Sequence, residues 1–419
     1  MVREQVEQLR DGMRRRGKLD VYGPVIDEAE SLDRARRQAI QAVEEKRARR
    51  NATTQEVGRL KKAKEDAEAP MAAARALGEE IAALNTRLGP IEARLNDLLL
   101  GIPNVPLADV PEGDESNNRV VRTWGEPRTS DGVKPHWEVG SALGLLDLER
   151  GAKVAGSGFI VYRGLGARMI RAFMNAMLDL HTGEFGYEEV WVPVVSNRAS
   201  MIGTGQFPKF EDDMYALQGD DLFLIPTAEV PVTNLHRDEI LAAEDLPRAY
   251  CAYSPCFRRE AGSAGKDTRG VLRVHQFDKV ELVRCCRPED GETELEKLVG
   301  HAEAVLQRLG LPYRVVLLAA GDTGFSSAKT YDLEVFAPGV GKWLEVSSCS
   351  VFTDFQARRA NIRFRPAPGE RPRFVCTLNG SGLAFPRIFA AILEHYQMPD
   401  GSVTVPEALR SLMGVDRLG

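Results

Sequence analysis

The chain of 419 residues has no run approaching the ~18 consecutive apolar residues that a membrane-spanning helix needs, so no membrane is expected. Its first residues, MVREQVEQLRDGMRRRG, alternate charges and lack the apolar core of a signal peptide, which predicts a cytoplasmic protein. Cysteine is scarce. The six, at positions 251, 256, 285, 286, 349 and 376, form no CxxC pair. They read as buried thiols rather than a disulfide framework or a zinc site. No GxxxxGK[ST] segment occurs, and no GxGxxG follows a strand, which disfavours a P-loop or Rossmann nucleotide site. There is no internal repeat. A net charge of −6 excludes a chain that is basic throughout. What remains is 43% hydrophobic and 28% charged, the balance of an ordinary globular protein, and long enough for two or three domains.

Residues 31–100 differ from the rest. They are rich in Ala, Glu, Arg, Lys and Leu, and Leu77, Ile81, Leu84, Leu88, Ile91, Leu95 and Leu98 recur at alternating steps of four and three. That is the 3.5-residue period of a coiled-coil seam. Leu32, Ala39, Val43, Val57 and Leu60 fit a second seam that Lys46, Arg50 and Thr53 interrupt. The pattern predicts a helix over about 31–68, a turn at 69–70 beside Pro70, and a returning helix to 100, kinked or restarted at Gly89-Pro90. Each would be ~45–55 Å long. The segment carries 14 Lys and Arg against 11 Asp and Glu, leaving the remainder at −9. Between 46 and 64, eight cations face Glu56 alone. Such a face is either a solvated helix surface or an arm that contacts phosphates. Its concentration on one element of an otherwise acidic chain favours the arm.

Residues 104–118 form a Pro/Asn/Asp-rich linker, and the body runs over 119–419. A helix is predicted over 165–182 and a strand over 188–195. Adjacent strands, rather than regular βαβ units, predict an α+β fold built on an antiparallel sheet flanked by helices. The stretch 252–285 reads as strand, Gly-rich loop, strand. Arg258 and Glu260 are two apart and are expected to share a face. Arg273, His275, Phe277, Lys279 and Glu281 share another, with Leu272, Val274, Val280 and Leu282 turned to the core. This face is either solvated with cross-strand ion pairs or a site for a purine on Phe277, a phosphate on Arg258 and an ammonium on Glu281. In 342–359 a strand delivers Glu345, Ser347 and Ser348, and Thr353-x-x-Gln356 has the form of a capping box. Glu345 with Ser348 suits Mg²⁺. In 374–397 a strand ends at Asn379-Gly380-Ser381-Gly382, followed by an apolar helix. Arg387 in its first turns either meets an anion or snorkels to the surface. Thr227 opens a short helix with Glu229 in its first turn, as an N-cap or as a ligand-facing hydroxyl.

These segments together resemble the bacterial-type seryl-tRNA synthetases, members of the class II aminoacyl-tRNA synthetase family. Residues 186–193 resemble motif 1, FRREAGSAGKDTRG motif 2, and NGSGLAFPR motif 3. TAE at 227–229, TGQFPKFEDDMY at 204–215, EVSSCS at 345–350 and the basic arm resemble the serine enzymes specifically. The resemblance implies an N-terminal tRNA-binding helical domain over 1–103, a linker and a class II catalytic domain over 119–419. It implies activation of L-serine with ATP and Mg²⁺, then transfer to tRNA(Ser) and also tRNA(Sec), by a homodimer. Thr227, Ala228, Glu229, Glu281, Asn379 and Ser381 would bind serine. Arg258, Arg259, Glu260, Val274, Phe277, Glu345, Val346, Ser347, Ser348 and Arg387 would bind ATP, with Glu345 and Ser348 on the metal. Arg258, Glu260 and Arg387 would be catalytic, and Arg47, Arg50, Lys61, Lys62 and Lys64 would hold tRNA. Two positions depart from the family pattern: Val351, where Asn is common, and Phe385-Pro386 before the motif 3 arginine. A synthetase-like ligase serving a carrier protein or a biosynthetic pathway is the competing reading, against which the basic arm speaks.

Overall fold

The computed structural model describes residues 5–261 and 269–419. The centre of the predicted Gly-rich loop, 262–268, and the first four residues lie outside the described residues. The chain forms two compact units, Met1–Val105 and Pro106–Gly419. No described helix is long and apolar enough to cross a membrane.

The first unit is three helices: α1 (Val6–Arg15), α2 (Leu19–Ala63) and α3 (Glu68–Gly101). All seven predicted seam positions of α3 are buried or half-buried, while every other residue from 79 to 97 is exposed. The periodicity therefore marks the face laid against α2. On α2 the interrupting Lys46, Arg50 and Thr53 stay on the half-buried stripe. Lys46 reaches an ion pair with Glu80 of α3 while its stem covers the seam. Three expectations change. The first helix starts at Leu19 rather than near 31, so it spans 45 residues, about 68 Å. The turn falls at 64–67, because Lys64 takes the left-handed conformation, its N–H closing onto the Lys61 carbonyl and that of Glu65 onto the Leu60 carbonyl. Pro70 thus lies in the first turn of α3, where no N–H is missed. Helix α3 also runs unbroken through Gly89-Pro90, which sit on its exposed face. A small core of Leu9, Met13, Ile26, Ala29, Leu95, Leu98 and Ile102 ties α1 to the other two helices.

The second unit is organised by a sheet of eight strands among the described residues: β1 (Arg119–Trp124), β2 (Glu188–Glu189), β3 (Arg248–Phe257), β4 (Gln276–Cys286), β5 (Tyr313–Leu317), β6 (Lys329–Ala337), β7 (Lys342–Thr353) and β8 (Cys376–Ala384). Their spatial order is β1-β5-β6-β7-β8-β4-β3-β2. Every pairing is antiparallel except that of β2 with β3. Helices α4 (Leu165–Gly183), α5 (Glu229–Thr233), α6 (Gly291–Arg308), α7 (Phe355–Ala360) and α8 (Phe385–His395) complete the elements used below. Helix α4 ends one residue beyond the predicted 165–182. Helix α8 is buried along nearly its whole length against β4, β6, β7 and β8, as its apolar composition requires. The predicted strand 188–195 is not continuous. Pro193 cannot donate to a ladder, so pairing with β3 stops and Val195–Asn197 pairs instead with Leu222–Leu224. All six cysteines are free and buried in β3, β4, β7 and β8.

Candidate active site

Strands β3 and β4 pair with Cys256 opposite Phe277 and Ala252 opposite Glu281. Arg258, Glu260 and Arg273 lie just past the end of this ladder. Glu260 has φ +53, so strand alternation fails there and it shares no strand face with Arg258. It is held instead by Arg273, whose Nη1 donates to Glu260 Oε2 at 2.6 Å. The Arg258 guanidinium sits 5.1 Å from the centroid of the Phe277 ring, a cation–π contact that fixes both. His275 joins the two segments, its Nδ1 2.9 Å from the carbonyl of Arg258.

An open cleft of about 580 Å³ lies over these residues. Arg258, Glu260, Val274, Phe277, Glu345, Val346, Ser381 and Arg387 line it, together with Arg273 and Lys279. Four cations thus face two carboxylates, a surplus suited to a polyanion. Arg387, in the first turn of α8, donates to the Glu345 carbonyl at 2.6 Å and lies 3.4 Å from its carboxylate. It therefore opens onto the cleft rather than onto bulk solvent. Arg259 turns the other way and donates to Asp212 O at 3.3 Å. Ser347 is buried and donates to Ser381 O at 2.6 Å, locking β7 to β8.

Behind the cleft lies a buried polar cluster. Thr227 Oγ1 donates to Glu281 Oε2 (2.9 Å) and accepts from Lys279 Nζ (3.0 Å) and from the Glu229 N–H (3.2 Å). Lys279 also forms an ion pair with Glu281. Asn379 Nδ2 donates to Glu281 Oε1 at 2.9 Å. Glu229 accepts from Gln356 Nε2 at 2.6 Å, and Thr377 donates to the other end of that amide at 2.8 Å. Burial, and then the nearby Glu281 carboxylate, push the Glu229 carboxyl up to about 7. Ala228 packs in a small apolar cluster with Val232, Tyr250 and Val283. The carboxylate of the polar cluster can meet an ammonium, and its hydroxyl and amide can meet a hydroxyl.

On the neighbouring strands β6 and β7 Asp332 lies opposite Ser348, which donates to it, and burial together with Glu345 raises the Asp332 carboxyl. Among the described residues no group of three or more His, Cys, Asp and Glu is placed to hold a metal. Asp332 Oδ1 is nonetheless buried without a hydrogen-bond partner. Two carboxylates and a hydroxyl fit a hard cation that keeps other oxygen ligands from water and phosphate.

Three of these groups were assigned no site role from the sequence. Lys279 carried a signal, lying two residues before Glu281 on one strand face. Gln356 carried a misleading one: Thr353 has φ +52 and donates to Phe352 O, Asp354 rather than Thr353 holds the N-cap position, without a side-chain cap bond, and the capping box does not form. Asp332 carried none. Val351, the departure from Asn, is buried in the main core. Of the predicted arm residues, Arg47, Lys61, Lys62 and Lys64 are exposed at the far half of α2, and Arg50 is half-buried.

Comparison with known proteins gives the family. Residues 1–106 match the seryl-tRNA synthetase N-terminal domain and residues 209–396 the tRNA synthetase class II core domain (G, H, P, S and T). A serine--tRNA ligase of Gemmatimonas aurantiaca is 68% identical over 99% of this chain and 98% of its own length. The chain belongs to the seryl-tRNA synthetase family. Among solved structures of this family, the seryl-tRNA synthetase from Pyrococcus horikoshii complexed with ATP is 37% identical, with a TM-score of 0.94 over 100% of this chain and 98% of that one. The cytoplasmic enzyme from Naegleria fowleri in complex with AMP is 30% identical, with a TM-score of 0.87 over 99% and 96%. Both synthetase parts, the helical N-terminal domain and the class II core, are therefore present in one chain.

Proposed function

We propose that the chain is a serine--tRNA ligase, which activates L-serine with ATP and passes the seryl group to the 3′ end of tRNA(Ser). The serine carboxylate attacks the α-phosphorus, pyrophosphate leaves, and seryl-adenylate remains. The terminal ribose hydroxyl of the tRNA then attacks the seryl carbonyl and AMP leaves. No side chain is needed as a nucleophile, so catalysis is orientation and charge stabilisation. Phe277 takes the adenine face, and Glu260, fixed by Arg273, takes its edge. Arg258 bridges the serine carboxylate and the α-phosphate, and Arg387 faces the outer phosphates. Glu345 and Ser348, with Asp332 behind them, would hold Mg²⁺, which supplies countercharge to the phosphates when bound.

The observation that carries this reading is the hydrogen-bonded Thr227, Glu281 and Asn379 cluster behind a cationic cleft, joined to it through Lys279. A buried polar pocket rejects alanine strongly, because it leaves a polar group unpaired. Threonine must be excluded by shape, where one methyl is worth only ~1–3 kcal/mol. The basic end of α2, through Arg47, Arg50, Lys61, Lys62 and Lys64, would grip tRNA(Ser) and, by the same contacts, tRNA(Sec). Segment 186–193, where Trp191 is 74% exposed, is the surface for a homodimer. The enzyme would work in the cytoplasm. Serine-dependent exchange of pyrophosphate into ATP and charging of purified tRNA(Ser) test the reading together. Arg258→Ala is expected to abolish exchange. Exchange near the wild-type rate in that variant, or none in the wild type, overturns the assignment.

A further inference from the structure

Thr227 has no spare hydrogen-bonding capacity. A hydroxyl has one proton to give and two lone pairs. Thr227 gives its proton to Glu281 and accepts from Lys279 and from the Glu229 N–H. Glu281 is almost equally engaged: Oε2 meets Thr227 and Lys279, and Oε1 meets Asn379. The cluster is buried, with Glu281 fully so, Thr227 4% exposed and Lys279 5% exposed. An amino acid that uses Thr227 and Glu281 cannot simply add contacts to saturated groups. One present partner has to leave.

The candidates are unequal. The Glu229 N–H is backbone and cannot leave. Withdrawing Asn379 frees one bond but brings no charge balance. Lys279 stands on a flexible four-carbon stem, lines the open cleft, and carries the same ammonium group that the substrate brings. Its departure strands no buried carboxylate, because a cation of equal charge takes its place.

We propose that Lys279 is an internal stand-in for the substrate: in the empty site its ammonium holds the place of the amino acid's ammonium on Glu281 and Thr227, and serine binds by exchange with it. The proposal rests on the reading of Thr227 and Glu281 as serine ligands given above. Lys279 is a positioning residue in this scheme. It keeps the receptor carboxylate charged and the Thr227 hydroxyl aimed while the site waits.

The other titratable groups around the cluster do not replace this cation. Glu229 faces it from α5, Arg258 from beyond β3, and the thiols of Cys256 and Cys349 from β3 and β7. Burial raises both thiols, Cys349 to about 12, so they bring no charge. Without Lys279, two buried carboxylates share the neighbourhood of one arginine, and the cluster takes up a proton. An arriving ammonium must then expel that proton.

The test is titration calorimetry of L-serine into the full chain, near pH 8, where Glu229 is largely ionised in the wild type, in buffers of different ionisation enthalpy. Lys279→Met is expected to release close to one proton more per serine bound than the wild type. Its serine affinity should rise with pH about tenfold more per unit. Lys279→Arg, which keeps the charge, should show the wild-type proton count. Equal proton release in Lys279→Met and wild type overturns the proposal and leaves the functional reading standing. So does a serine-bound crystal structure of the wild type with Lys279 still on Glu281, a readout independent of whether the variants fold. Absence of serine binding to the wild type overturns the functional reading, and the proposal with it.

Discussion

Glutamine in place of Glu229 should make the catalytic body more resistant to alkaline pH. The carboxyl is buried beside Glu281, and its pKa is raised from 4.5 to about 7. A carboxyl raised in the folded state contributes stability that is complete below 4.5. That contribution is lost as pH climbs through about 7, because the unfolded chain ionises freely while the folded one resists. The shift corresponds to roughly 3 kcal/mol at 1.36 kcal/mol per unit. Glu229→Gln removes this dependence and keeps an oxygen for the Gln356 amide, whose 2.6 Å bond otherwise ends on the carboxylate. Between pH 4.5 and pH 8 the wild type should therefore lose roughly 3 kcal/mol relative to the variant. Urea unfolding read by tryptophan fluorescence measures this in the right unit, since Trp124, Trp137, Trp191 and Trp343 all lie beyond Pro106. A double difference below about 1 kcal/mol, or of opposite sign, would refute the electrostatic account of this pocket.

Two further outcomes are expected. Gln356→Leu removes a hydrogen bond to a carboxylate and leaves the Thr377 hydroxyl without its acceptor, at a cost of about 2–4 kcal/mol in the same urea assay; a change under about 1 kcal/mol would mean that solvent replaces the amide. Reversing Lys61, Lys62 and Lys64 to glutamate should flatten the dependence of log tRNA affinity on log salt by about two to three units, and an unchanged slope places the RNA elsewhere.

The parts of the fold that repeat were legible in the sequence. The seam from Leu77 to Leu98 marked a buried face residue by residue, because a two-helix interface has one period and no other constraint. The apolar run from Leu383 to Tyr396 likewise announced a buried helix. The start of α2 at Leu19 was not legible, since α1 rather than a second long helix covers its first turns and no coiled-coil period is imposed there. At the site, residues on the ladder, Phe277, Lys279 and Glu281, obeyed alternation. Glu260, one step beyond it, did not, because its backbone turns left-handed. Gln356 illustrates the harder case. Its spacing from Thr353 promised a local role, yet its amide serves Glu229, 127 residues away, and no local pattern encodes a partner at that distance.

The six thiols woven into β3, β4, β7 and β8 give the protein a built-in gauge. Burial pushes Cys251, Cys285 and Cys349 up to about 12 and raises Cys256, so these four offer an alkylating reagent almost no thiolate, and all six are buried. Modification must await opening of the same strands that carry Phe277, Glu281, Glu345 and Ser381. The pace of labelling therefore times the opening of the catalytic floor, and any compound that slows it does so by gripping that floor shut.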